Sequence, residues 1–172
     1  MPPMDIQEIP ANPEFDMFFY CEVAGESRID RETLEEIEER WERWTGRLHA
    51  FRLTNPQGGA QYLLLFMDKA VEDEIEGIWQ DSPTSGLALH NLAISMVMSA
   101  AHGFIPELQD GSCAPLPKPG QAALDAFATL GLTWNPEGTV NRQYAVFTLY
   151  PYSGGCDICY LQESCPKAAL ER

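Results

Sequence analysis

The spacing of apolar and polar residues changes from segment to segment along the chain and predicts which segments are strands and which are helices. Apolar side chains recur at every second position from Phe15 to Val23, which predicts a β-strand with Cys21 on its apolar face. From Asp30 to Trp44 the apolar spacing is helical and follows a capping aspartate, so this segment predicts an amphipathic helix. Two apolar runs, 48–53 and 61–67, flank a turn rich in Asn, Pro and Gly and predict a β-hairpin.

The second half of the chain is predicted to be mostly helical before a last strand. A short acidic helix over 71–79 precedes Ser82-Pro83, a cap and proline that open a helix, and no charged residue follows until after Pro106. This stretch is long enough to span a membrane, but polar residues interrupt it and no Lys or Arg flanks it closely. We therefore expect a buried central helix and no membrane partner. A helix over 119–130 and a strand over 143–150 complete the predicted elements.

The order of these elements predicts a single α+β domain over 1–172. Clean β-α-β alternation is missing, which favours a mixed or antiparallel sheet with packed helices over a doubly wound parallel sheet. The sheet is expected to combine the strands near Phe15, Leu48, Tyr62 and Tyr144. Residues 1–12 are interpreted as a loose N-terminal arm, and 153–172 as a cysteine-rich C-terminal segment.

The net charge of the chain limits the classes of molecule that it can bind directly. The 172 residues include 26 acids and 11 Lys or Arg, which gives a net charge of −15. Binding to a phosphate backbone needs clustered basic side chains, so nucleic acid is excluded as a direct partner. An acidic patch is interpreted mainly as a solvent-facing surface, with docking of a basic redox protein as its functional alternative; its members are Asp68, Glu72, Asp73, Glu74 and Glu76.

Cysteine usage points to chemistry at the C-terminal end. The first twelve residues carry acids and prolines instead of a basic and then apolar signal sequence, so we expect a cytoplasmic protein. In that compartment clustered thiols bind metal or perform redox chemistry more often than they form structural disulfides. The five cysteines are also an odd number, which is a poor basis for a disulfide framework.

The strongest motif is Cys156-x2-Cys159-x5-Cys165-Pro166. Its thiolates are soft ligands that select zinc, copper(I) or an iron–sulfur cluster. We expect Cys113, in a proline-rich loop, to supply the fourth ligand, with His102 as the alternative. A second Cys-x2-Cys pair, common in structural zinc sites, is missing, and this favours an iron–sulfur cluster such as 4Fe-4S over zinc. A dithiol redox pair and inert thiols are the remaining interpretations.

The Cys165-Pro166 step resembles the last cluster cysteine of bacterial ferredoxins, although the spacing before it differs. A second resemblance lies in the middle of the chain. The segments 62–67, 86–92 and 100–103, followed by Leu-Gly-Leu at 130–132, resemble nitroreductase-like flavoproteins. That resemblance implies FMN and a flavin-dependent reductase. His90 stands where that family has glutamine, and the family's N-terminal Arg-Ser-Arg motif for the flavin phosphate is missing.

Three functions follow from these observations. The first is a cytoplasmic, metal-binding redox protein whose iron–sulfur cluster serves electron transfer or assists an enzyme. The second is a nitroreductase-like flavin enzyme. The third is an interaction protein with a structural zinc site. We expect the first, with Cys113, Cys156, Cys159 and Cys165 as ligands and Cys21 excluded.

Overall fold

The structure, a computed structural model, describes residues 2–167, so the last five residues of the predicted cysteine-rich segment lie outside the described residues. Helices and strands alternate irregularly along the chain. In order they are β1 (Asp5–Glu8), α1 (Met17–Ala24), α2 (Arg31–Thr45), β2 (Leu48–Thr54), β3 (Tyr62–Met67), α3 (Lys69–Asp81), α4 (Pro83–Phe104), α5 (Gln121–Thr129) and β4 (Ala145–Leu149). Short 3₁₀ turns lie at Pro106–Asp110, Cys156–Ile158 and Gln162–Ser164.

The four strands form one antiparallel sheet in the order β1-β2-β3-β4. The α+β class and the antiparallel sheet predicted from the sequence are therefore confirmed. β3 is paired on both sides, with Leu64 opposite Phe51 on β2 and Phe147 on β4. All its residues are buried, as expected for a central strand whose two faces are both covered.

Alternate residues of β3 enter two separate apolar cores. Leu63, Leu65 and Met67 join the larger core, which contains buried residues of α1 to α4. Leu64 and Phe66 point to the opposite face and belong to a smaller core built mainly by α5 and the segment after it. This two-sided burial explains why the sequence of β3 is uninterruptedly apolar.

The uncharged helix α4 lies at the centre of the larger core. Ser82 caps its first turn by accepting a hydrogen bond from the backbone N–H of Ser85 at 3.3 Å. Within residues 2–167 it is the one helix that is long and apolar enough to cross a membrane, and 44% of its most apolar 18-residue window is buried. Leu92, Ala93 and Met96 are fully buried, so the expected buried central helix is confirmed.

The predicted strand over 15–23 is wrong, because this segment folds as helix α1. Asp16 caps the helix by accepting hydrogen bonds from the backbone N–H groups of Phe18 and Phe19, and left-handed Gly25 ends it. Apolar residues lie on both faces of the predicted strand, so the alternating pattern did not distinguish a strand from a helix. Tyr20 is the buried residue of the helix, while Phe18 is 80% exposed.

The interpretation of 1–12 as a loose arm is also wrong in part. Asp5–Glu8 pairs with β2 as an edge strand, with Ile6 opposite Leu53, and Met4 is buried in the smaller core. Backbone hydrogen bonds and one buried side chain hold this strand, and neither leaves a clear alternating pattern. The first strand of the sheet therefore lies before Phe15.

The acidic patch predicted to face solvent is largely paired. Glu74 accepts hydrogen bonds from Arg40, Arg43 and the indole of Trp44, linking α3 to α2. Asp68 accepts one from His49 at 2.6 Å. The remaining carboxylates are engaged too: Asp73 pairs with Lys69, and Glu72 accepts from the backbone N–H of Gln143. Asp68 and Glu74 thus link elements of the fold, whereas Asp73 and Glu76 are exposed as predicted.

Candidate metal centre

Four of the five cysteines line one cavity beyond the end of β4. They are Cys113, Cys156, Cys159 and Cys165, the four residues predicted from the sequence, and the cavity volume is about 230 Å³. The other lining residues are Ser112, Pro115, Tyr152, Gly155, Gln162 and Lys167. All five cysteines of the chain are free thiols. The fold thus brings the proline-rich loop and the C-terminal segment together.

Two successive 3₁₀ turns place the C-terminal thiols. The backbone N–H of Cys159 donates to the carbonyl of Cys156 at 3.1 Å, and that of Gln162 donates to the carbonyl of Cys159 at 3.1 Å. Such tight turns return the chain within three residues. These turns keep the three cysteines, which span only ten positions, close enough to line the same cavity.

Two contacts of Tyr160 anchor this segment to the domain. Its backbone N–H donates to the carbonyl of Leu116 at 2.7 Å. Its ring covers Gly138, where an added Cβ would lie only 2.8 Å from a ring carbon. Gly138 also has φ +88, a left-handed conformation that side chains disfavour. Glycine at this position therefore permits the close approach of the Tyr160 ring.

The proline-rich loop is fixed independently. The hydroxyl of Thr148, a buried residue of β4, donates to the carbonyl of Pro115 at 2.8 Å. The hydroxyl of Tyr152 donates to the carbonyl of Cys113 at 3.3 Å. The same ring packs on Gly154, where a Cβ would lie 2.7 Å from the hydroxyl oxygen. The cavity wall is thus held from β4 and from the segment that follows it.

Lys167 is the one basic side chain in the cavity wall within the described chain. Its ammonium group donates to the carbonyl of Gly111 at 2.9 Å and lies 3.5 Å from the Sγ of Cys113. Metal binds the thiolate form of cysteine, so a cation at this position would offset part of the charge of bound thiolates. In a chain of net charge −15, Lys167 places one cation in the wall of this cavity.

The other histidine and cysteine candidates lie elsewhere. His102, the alternative fourth ligand, packs against Phe19 with ring centroids 5.3 Å apart, in a cavity shared with α1. Burial lowers its pKa, partly offset by Glu22. Cys21 lies on α1 and is half-buried, not on a strand as predicted. Neither residue lines the cysteine cavity.

The four cysteines share a cavity, but their thiols are not gathered around one point. As placed, no three His, Cys, Asp or Glu side chains of residues 2–167 are grouped so that they could hold a metal ion. A tetrahedral zinc site with bonds of about 2.3 Å needs its sulfurs at about 3.8 Å from one another. The four cysteines line a cavity of about 230 Å³ together with six other residues, and no such close grouping is formed among the described residues.

Comparison with known proteins adds no relative: no family model, curated protein or solved structure matches this chain.

Proposed function

We propose that this chain is a redox protein whose four cavity cysteines hold an iron–sulfur cluster, of the 4Fe-4S type, for electron transfer or as an accessory to an enzyme. The observation that carries the proposal is the convergence of Cys113, Cys156, Cys159 and Cys165 on one cavity. Four thiolates are the ligand set of such clusters, and a bound cluster accepts and releases single electrons.

Each part of the cavity wall has a role in this proposal. The two 3₁₀ turns position three thiols, and the proline-rich loop supplies Cys113. Lys167 offsets thiolate charge beside Cys113. Tyr152 and Pro115 also line the cavity, while Cys113 and Cys156 are exposed, and solvent exposure is one of the factors that set a cluster's reduction potential. Structural zinc is the second candidate, with the same four ligands moved closer together.

A docking face for a redox partner adjoins the cavity. Three apolar side chains near Cys159 are exposed by between 38% and 50%: Ile158, Tyr160 and Leu161. Asp157 and Glu163 stand among them and are also exposed. Apolar residues ringed by charge are typical of transient interfaces. Because these charges are negative, as is the chain overall, we infer a basic redox protein as the partner.

Anaerobic purification followed by iron, sulfide and zinc analysis tests the proposal. We expect iron and acid-labile sulfide in equal amounts and a broad brown absorption that dithionite bleaches. Stoichiometric zinc without colour would support the structural zinc site instead. A two-banded yellow spectrum would support the flavin reductase implied by the nitroreductase-like resemblance. Protein without metal, sulfide or flavin, even after anaerobic reconstitution with iron and sulfide, would overturn the iron–sulfur assignment.

A further inference from the structure

A second cavity, separate from the cysteines, lies under the segment between α5 and β4. Its volume is about 550 Å³, within the range of small-molecule sites. Trp134 and Val140 pair across the base of a turn, and apolar side chains line part of the wall, including Phe147 and Leu116. Polar groups contributed by Asn, Thr and Gln residues of 135–143 line the rest.

Arg142 makes this cavity unusual. Its Nε is buried and has no hydrogen-bond partner, while its Nη1 donates to the carbonyl of Asn141 at 2.8 Å. Among residues 2–167 it forms no salt bridge, although most of the charged residues of this chain are acids. Buried polar groups are nearly always paired, so an unpaired guanidinium edge lining a cavity indicates a missing partner.

The chemistry of that edge defines the partner. With Nη1 engaged on a carbonyl and Nε unpaired, the guanidinium has an unsatisfied N–H donor, and its planar geometry is the one that pairs with a carboxylate. One cation in a strongly acidic protein favours a ligand with a single negative charge. The Trp134 ring, stacked on Phe127 at 5.9 Å, and the neighbouring apolar wall favour an apolar body next to that charge.

We propose that this cavity binds a small monocarboxylate with an aromatic or aliphatic body, its carboxylate held by Arg142. The site goes beyond the proposed function, because its ligand binds whether or not the cysteines hold metal. It nevertheless adjoins the metal centre. Gly138 lines this cavity and touches the ring of Tyr160, the residue after Cys159. A bound carboxylate is therefore placed beside the segment that carries three of the thiols.

Isothermal titration of the anaerobically purified protein with benzoate tests the proposal, with benzamide as the neutral probe of equal shape. We expect saturable binding of benzoate at millimolar or lower concentration, and binding of benzamide weaker by about tenfold or more. Arg142→Met should weaken benzoate binding by the same factor. Arg142→Lys should bind benzoate more tightly than Arg142→Met but less tightly than the unaltered protein, since an ammonium lacks the planar fork of a guanidinium.

Arg52→Met is the matched control. The Nε of Arg52 is also buried and unpaired, but this side chain lies beside Gln61 and over the ring of Tyr150, outside the cavity. Removing it deletes the same charge and should leave benzoate binding unchanged. Equal binding of benzoate and benzamide would overturn the proposal, and so would the failure of benzoate, hexanoate and indole-3-acetate alike to bind. These comparisons use the unaltered protein and do not depend on a variant folding.

Discussion

The Nζ of Lys167 lies 3.5 Å from the Sγ of Cys113, although the two residues are 54 positions apart. The same ammonium group donates to the carbonyl of Gly111, so Lys167 joins the proline-rich loop to the C-terminal segment. It places a positive charge at the wall of the cysteine cavity, where it would act on the proposed cluster.

Replacing that charge tests its role. Lys167→Met should leave the iron content unchanged and shift the reduction potential of the cluster to more negative values, because the oxidised state loses less from removal of a nearby cation. Spectroelectrochemical titration measures the shift. Lys118→Met is the control, since Lys118 is exposed and does not line the cavity. Equal shifts in both variants would contradict a local effect.

Single cysteine substitutions test the ligand set. Cys113→Ser should lose most of the bound iron, as should serine at each of the three C-terminal positions, whereas Cys21→Ser should retain it. Cys21 lies on α1, away from the cavity. Iron analysis after anaerobic purification gives the readout. Full iron in Cys113→Ser combined with loss in His102→Ala would instead identify the histidine as the fourth ligand.

Gly138→Ala should displace the cysteine segment. The new Cβ would lie 2.8 Å from a ring carbon of Tyr160, so the ring must move and the segment with it. The positive φ adds about 1–2 kcal/mol of strain. Gly58→Ala is the matched control: its φ is +85 but nothing lies within 4 Å. Gly138→Ala should lose more stability in urea than Gly58→Ala, and only Gly138→Ala should lose iron.

Two glycines of α4 should respond oppositely to alanine. A Cβ at Gly86 would lie 2.7 Å from the Cα of Trp79, so Gly86→Ala forces α3 away and should cost about 1–3 kcal/mol. Nothing lies within 4 Å at Gly103, and Gly103→Ala should gain about 0.5–1 kcal/mol from helix propensity. Urea unfolding measures both, and equal effects would contradict the close contact of the two helices.

The carboxylate of Glu74 should make the free energy of unfolding depend on pH in the acidic range. Burial alone would raise its pKa, but hydrogen bonds from Arg43, Trp44 and Arg40 outweigh this and lower it below 4.5. A lowered folded-state pKa stabilises the protein above the unfolded value, and this stability is lost as pH falls through the folded value. Glu74→Gln should therefore cost about 1–3 kcal/mol at pH 7 and less near pH 3.

The control for Glu74 is an exposed carboxylate whose ion pair lies within a single helix. Glu35 pairs with Arg31, and both side chains are more than half exposed. Glu35→Gln should change the free energy of unfolding by less than about 0.5 kcal/mol at either pH. A pH dependence that is identical in the two variants would show that the hydrogen bonds to Glu74 do not stabilise its charged form.

Local sequence patterns predicted a helix or strand correctly where its signals agreed with one another. Asp30 caps α2 and accepts from the backbone N–H of Thr33, and the apolar stripe of that helix is buried as expected. The prediction was wrong where local signals conflicted or where the element depends on a distant partner. At 15–23 the cap at Asp16 decided for helix against an alternating pattern, and β1 depends on pairing with β2 that no local feature reveals.

The candidate metal centre was likewise predicted only in part. Close spacing was sufficient to group three cysteines, and the proline-rich loop suggested the fourth. The packing of Tyr160 on Gly138 and of Tyr152 on Gly154 depends on tertiary contacts, so neither was predicted. The cavity at Arg142 has no motif at all, because an unpaired guanidinium becomes visible only when its neighbours are known.

The anchoring of the proline-rich loop to β4 sets an order for maturation on the ribosome. Cys113 is synthesised well before β4, but the loop that carries it is fixed only when Thr148 reaches the carbonyl of Pro115. The remaining three thiols emerge later still. Under the proposed function, a cofactor delivered to the growing chain would meet one unsupported cysteine, and all four thiols would be in place only after the strands of the sheet have been synthesised.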